Sequence, residues 1–416
     1  MTKTYRLPAR AAILAALSIL AAASPPAARA AAGRAKSGSL VSYRRIAVLS
    51  RRAVAAELRE ARISPRDPAL GAANVRAGIT AYRVVYRTAG PAGTMVVASG
   101  LVAFPTIGAG HRLSLVDYGH GTTATRDDVP SAFGSRDGLG IEGRWTAELF
   151  ASAGFAIALP DYLGMGVSRL RPQYEVARSE TSASMDLLRA TAQLAAATGR
   201  RLSGRVFLTG FSQGAAAALA IARRLQGGAI AGLRPVAVGA ISGPYELQSA
   251  ELPAILGGRV SPAMASYLLG YVLTAWNPIY HLFANPAVAF RPPYEANIES
   301  LFDGSHPDAQ IAAKLPGDFH RLVTSRYLRK LEHPSGRLLE ALRANSTCAG
   351  WVPRVPVGLY AARGDTTVAE TNALVCARRL RARRAAVRVI ELGTVDHDVS
   401  DFLGLPRMLR WFVGVR

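Results

Sequence analysis

Three side chains that together can transfer an acyl group stand in one order along the chain. Gly210-Phe211-Ser212-Gln213-Gly214 places a serine between glycines at plus and minus two. A serine hydroxyl is a poor nucleophile at neutral pH, so it needs a base within hydrogen-bond reach and a third group to orient that base. Of the seven histidines, His397 stands in Gly393-Thr394-Val395-Asp396-His397-Asp398, just after the last strand-like run. Asp365 stands in Arg363-Gly364-Asp365-Thr366-Thr367-Val368, at the end of the run before it. Ser212 is therefore the expected nucleophile, His397 the base and Asp365 the orienting acid. Asp396, Asp398 and Asp401 are rivals for the last role, but as close sequence neighbours of His397 they are poorly placed to hold its imidazole from behind.

The pentapeptide alone is weak evidence, since with 39 glycines chance supplies about 0.2 copies in a chain of this length. Its surroundings carry more weight. RVFLT before it reads as a strand and AAAALAIARRL after it as a helix, so the serine falls on a sharp strand-to-helix elbow whose flanking positions tolerate only glycine. A tetrahedral intermediate also needs hydrogen-bond donors for its oxyanion. The backbone N–H of Gln213 is the first candidate. The loop Tyr118-Gly119-His120-Gly121-Thr122-Thr123 is the expected source of the second, at Thr122 or Gly121. His120 is expected to shape that loop rather than to react.

The elements that must hold these residues alternate. Residues 40–62 have helical spacing, followed by two β-branched runs, from Ile79 and from Gly93, split by the turn signal Gly90-Pro91; these predict an antiparallel opening pair. Short apolar strands then alternate with helices, starting near Leu113, Phe155, Arg205, Pro235, Val355 and Ala386. Continuous apolar runs are the mark of strands buried on both faces, so the fold class is α/β with a mostly parallel sheet and helices on both faces. The alternation breaks between the strand from Pro235 and that from Val355. The expected organisation is a leader over 1–30, a first core part over 31–243, a helical cap or lid insertion over 244–350 and a second core part over 351–416. Within the insertion, Tyr267, Leu268, Leu269, Tyr271, Val272, Leu273 and Trp276 would either line an acyl pocket or simply pack a helix on the sheet.

The set DYGHGTT, LPDYLGMG, TGFSQGA, ARGDTTV and VDH resembles the secretory lipase branch of the α/β-hydrolases, in the same order, over most of residues 75–416. The resemblance implies a secreted enzyme that cleaves acyl or lipid esters, and an α/β-hydrolase fold. It puts Ser212, Asp365 and His397 on the family's triad positions and Gln213 on its elbow donor. No diagnostic motif is recognised between Pro244 and about Asn345, which leaves acyl length open.

Lys3, Arg6 and Arg10, the apolar run Ala11–Ala23 and Ala28-Arg29-Ala30 together read as a Sec-type signal peptide cut near Ala30, giving a secreted, periplasmic or cell-envelope protein. That run would reach only about 20 Å, short of a bilayer core. The chain carries 50 Lys and Arg against 28 Asp and Glu, a net charge of +22. Cations are scattered through the whole chain with no binding motif, which argues against nucleic acid and for at most a peripheral attraction to anionic surfaces. Cys348 and Cys376, the two cysteines, are expected to be bridged in an oxidising compartment; they exclude a cysteine-rich zinc or iron–sulfur protein. The expected chemistry requires no cofactor and no metal. Gly164-Met165-Gly166 lacks the third glycine of a dinucleotide fingerprint, and Asn345-Ser346-Thr347 matches a glycosylation sequon. Other readings remain: acyl transfer to an alcohol, peptide cleavage on the same triad, or a non-catalytic basic protein binding the envelope. Oligomeric state is not legible.

Overall fold

The computed structural model describes residues 36–60, 74–108, 110–134 and 138–416; the leader expected over 1–30 lies outside them. Among the described residues, nine strands form one sheet in the order β1-β2-β3-β5-β4-β6-β7-β8-β9. They are β1 (Leu40–Leu49), β2 (Gly78–Ala89), β3 (Met95–Thr106), β4 (Arg112–Gly119), β5 (Ala156–Pro160), β6 (Arg201–Phe211), β7 (Arg234–Ile241), β8 (Val357–Ala361) and β9 (Val387–Glu391). The first three strands and the β3–β5 pairing are antiparallel, and from β5 through β4 to β9 the sheet is parallel.

Leu40–Leu49 corrects the helix expected over 40–62. The segment is an edge strand, paired antiparallel with β2 from Leu40↔Tyr86 to Leu49↔Ile79. Val41, Tyr43, Ile46 and Val48 favour an extended chain, and exposed Arg44 and Arg45 guard the free edge against further pairing. Helical spacing holds only for α1 (Arg51–Glu60), which starts where Ser50 Oγ accepts the Ala53 N–H.

Helices α2 (Gly138–Ser152), α3 (Ala177–Ala197) and α4 (Gln213–Gln226) connect the central strands. Side chains alternate between two cores, one on each face. Leu113, Leu115, Val206 and Leu208 pack towards α3 and α4, while Val116, Phe207 and Ile157 pack towards α1 and α2. Between β7 and β8 the chain forms α5 (Leu252–Leu256), α6 (Pro262–Tyr280), α7 (Pro286–Ala289), α8 (Ile298–Leu301), α9 (Asp308–Lys314), α10 (Phe319–Leu322), α11 (Ser325–Glu332) and α12 (Gly336–Asn345). These helices bury a core of their own around Leu269, Trp276, Phe290, Leu322 and Leu338. Helix α6 starts with Pro262 in its first turn, where the missing N–H costs nothing, and is apolar on most sides, as befits a helix with neighbours all round. The chain closes with α13 (Thr371–Arg381) and α14 (His397–Val415).

Cys348 and Cys376 are bridged, joining the segment after α12 to α13. Asn345 is buried, and its amide accepts the Ala177 N–H and donates to the Ala341 carbonyl. The sequon is thus closed to glycosylation in the folded chain. None of the described helices is long and apolar enough to cross a membrane.

Candidate active site

Strand β6 runs straight into α4, and the one residue between them is Ser212, held at φ 54°, ψ −121°. L-residues rarely adopt a positive φ, and the elbow persists because its surroundings leave no alternative. A Cβ on Gly210 would stand 2.3 Å from the Gly214 carbonyl oxygen, and one on Gly214 would stand 2.0 Å from that of Gly119. Both glycines are therefore required by the packing of the elbow against the end of β4. The Ser212 N–H donates to Ile241 O at 2.9 Å, which ties the turn to β7.

His397 lies at the start of α14, whose first turn is capped by Asp396 accepting the Val399 N–H. Its Nε2 is 2.9 Å from Ser212 Oγ, and its Nδ1 is 2.7 Å from Asp365 Oδ2. The other oxygen of Asp365 accepts the N–H groups of Thr367 and Val368, both at 2.9 Å, so the carboxylate is fixed before it meets the histidine. With Nδ1–H donating to Asp365, Nε2 is free to accept the serine proton. Of the rival acids, Asp396 is the helix cap and Asp401 is buried beside Tyr118 and Glu142, while Asp398 lines the cavity beside Ser212. Phe211 packs its ring 4.6 Å from the imidazole, and Ser400 Oγ bonds both Ser242 and the His397 carbonyl. These supports carry no recognisable sequence signal.

Gln213 opens α4, so its N–H has no helical acceptor. The Gln213 side chain is clamped by a 2.7 Å bond from Nε2 to Glu180 Oε1, in a site whose burial raises the Glu180 carboxyl to about 8. In the loop after β4, the Gly121 N–H points to Glu142 Oε1 at 3.4 Å, and the same oxygen takes the Tyr118 hydroxyl at 2.7 Å. Of the two expected donors from this loop, Thr122 is the one whose N–H has no partner among the described residues, and it lines a cavity together with Ser212 and His397. His120 shapes the loop: its Nδ1 is 2.7 Å from Gly121 O, its ring packs on Tyr162, and burial lowers its pKa to about 4. Arg126, unremarked in the sequence, threads its guanidinium among the carbonyls of Gly164, Ser168, Leu170 and Asp303. It thereby joins the loop after β4, the Gly164–Gly166 turn and the segment after α8. No dinucleotide cradle forms at that turn, because a Cβ on Gly164 would stand 2.4 Å from Arg171 O and so the space is already filled by protein.

Two cavities meet at Ser212. The wider one, about 470 Å³, carries Thr122, Glu142, Phe211, Tyr267, Asp308 and His397. The narrower one, about 70 Å³, runs among Leu252, Ile255, Leu269, Leu273, Trp276 and Leu342. Of the α6 residues singled out in the sequence, Leu268, Leu269, Val272, Leu273 and Trp276 line the narrow cavity, and Tyr267 the wide one. Tyr271 does neither; its ring stacks on Tyr174 and Phe302 and its hydroxyl donates to Thr123 O.

A family model described as secretory lipase matches residues 144–270. A search of curated proteins finds no match. Among solved structures, a hydrolase candidate from Legionella pneumophila is 26% identical, with a TM-score of 0.81 over 90% of this chain and 98% of that one. The rice cell wall degrading esterase LipA from Xanthomonas oryzae is 24% identical, with a TM-score of 0.79 over 91% of this chain and all of that one. Lipase A from Candida antarctica in its closed state shares the fold at 16% identity, with a TM-score of 0.65 over 91% of this chain and 82% of that one.

Proposed function

We propose, the chain being an α/β-hydrolase of the lipase and esterase kind, that it is a secreted serine hydrolase which cleaves carboxylic esters through an acyl-enzyme on Ser212. The observation that carries this reading is His397 bridging Ser212 and Asp365 by two short hydrogen bonds at the meeting point of two cavities.

Ser212 Oγ attacks the acyl carbon while its proton passes to His397 Nε2; Asp365 stabilises the resulting imidazolium. The oxyanion lies between the N–H groups of Gln213 and Thr122, donors worth about 3 kcal/mol each in comparable sites. His397 then protonates the departing alkoxide, which leaves as the alcohol, and the acyl group stays on Ser212. A water enters, gives its proton to His397 and releases the acid by the reverse steps. The narrow apolar cavity suits the acyl chain, whose burial contributes about 0.8 kcal/mol per methylene. The wide one, with its polar rim, suits the alcohol and the incoming water. Secretion is supported by the secretory lipase match and by the leader-like composition of residues 1–30.

The test is hydrolysis of p-nitrophenyl esters from acetate to palmitate by the mature protein and by Ser212→Ala. Activity confined to the parent protein is expected. Equal rates in both, or none in either, would refute the reading.

A further inference from the structure

The narrow cavity at Ser212 is apolar in most of its wall, yet Glu175 and Glu251 share it. No lysine or arginine lines it. Glu251 is already engaged, its Oε2 accepting from Asn372 Nδ2 at 2.6 Å, and neighbouring Glu180 is engaged by Gln213. Glu175 is different. It is only 6% exposed, its carboxyl has no hydrogen-bond partner among the described residues, and its backbone sits at φ 54°, a region that disfavours glutamate. Its carboxyl opens onto the cavity, so whatever fills the cavity has to satisfy it.

We propose that the acyl cavity selects esters of hydroxy acids over plain alkanoic esters of the same length, the Glu175 carboxyl pairing with a hydroxyl on the acyl chain. The proposal rests on the assignment of this cavity to the acyl group. Burial pushes the Glu175 carboxyl well above its ordinary range and so favours the protonated form, which presents one donor and one acceptor to the cavity. A hydroxyl satisfies both. An alkyl chain drives out water and leaves both unpaired, and a site built to bond a hydroxyl rejects an analogue that lacks one. A carboxylate on the chain would face a cluster of acids with no cation. An ammonium would need Glu175 ionised, which its burial opposes.

The experiment compares kcat/KM of the mature enzyme on methyl esters of C4 to C10 acids with their monohydroxy counterparts, the hydroxyl stepped along the chain, followed by acid release. At one hydroxyl position the parent enzyme should prefer the hydroxy ester by about tenfold or more, and Glu175→Gln, which keeps a donor and an acceptor, should retain the preference. Glu175→Leu should abolish it and hydrolyse the plain ester faster than the parent. No preferred position in the parent enzyme overturns the proposal by itself, even if the leucine variant fails to fold. Preference persisting in Glu175→Leu, or a stronger preference for an amino acid ester, overturns it as well. Failure of the underlying reading looks different: activity towards every ester would be absent from the parent enzyme or would survive Ser212→Ala, and the proposal falls with it.

Discussion

Asp117 sits in the middle of β4, on the same side as Leu113 and Leu115, fully buried and with neither carboxyl oxygen hydrogen-bonded among the described residues. Desolvation raises its pKa from 3.8 to about 8. A raised folded-state pKa means that the native protein keeps a proton which the unfolded chain releases. Stability from this group is therefore complete below about pH 4 and is lost as pH rises towards 8, at about 1.4 kcal/mol per pH unit. At pH 7 the loss comes to about 4 kcal/mol, three pH units at that slope. Asp117→Asn is nearly isosteric and does not titrate, so it should be more stable than the parent by about 4 kcal/mol at pH 7 and equal to it near pH 4. For the roughly 360 described residues at about 2.1 cal/mol/K each, that is a rise in Tm of about 5 °C. Other buried acids, Glu148, Glu180 and Glu251 among them, slope in the same direction but are common to both proteins, so the difference curve isolates Asp117. Thermal melts of the two proteins from pH 4 to pH 8 test this. Curves that stay parallel over the whole range would refute the reasoning.

The Cys348–Cys376 bridge closes a loop with a sequence separation of 28, which on the chain-entropy model stabilises by about 3.5 kcal/mol. The double alanine variant should melt about 4 °C lower yet keep its ester hydrolysis at 25 °C, and an unchanged Tm would contradict this. Asp365→Asn keeps the shape but removes the charge that fixes the His397 tautomer, and should lower kcat by about 10⁴; a loss under tenfold on a p-nitrophenyl ester would show that another acid orients His397. Gly214→Ala would press a methyl onto Gly119 and should yield no soluble, active protein, whereas Gly414→Ala, with open space around it, should behave as the parent in expression and activity.

Much of this arrangement was legible because its chemistry demands particular residues. Only glycine fits at 210 and 214, which is why the elbow stands out in sequence. The parallel strands announced themselves by burial on both faces, as in β5 and β8. Leu40–Leu49 was misread because an edge strand with one wet face lacks a continuous apolar run, and the adjoining α1 lent it a helical rhythm. Glu142, Glu175, Glu180 and Arg126 were missed for another reason. Their roles come from neighbours remote in sequence, Gly121 and Tyr118 for the first, Gln213 for the third, and no local pattern distinguishes them from solvent-facing charges. The two-limbed cavity likewise depends on how α5, α6 and α12 meet over Ser212, which hydrophobic spacing on α6 hints at but cannot fix.

The central claim is that Ser212 forms the covalent bond to substrate. A fluorophosphonate mimics the tetrahedral intermediate and is captured by an activated serine, so it should label the protein once, on the peptide carrying Ser212, with loss of ester hydrolysis in step with labelling. Mass spectrometry of the digested adduct reads the site directly, and Ser212→Ala should take up no label. Label on a different residue, or full ester hydrolysis by a protein that takes up none, would contradict the account.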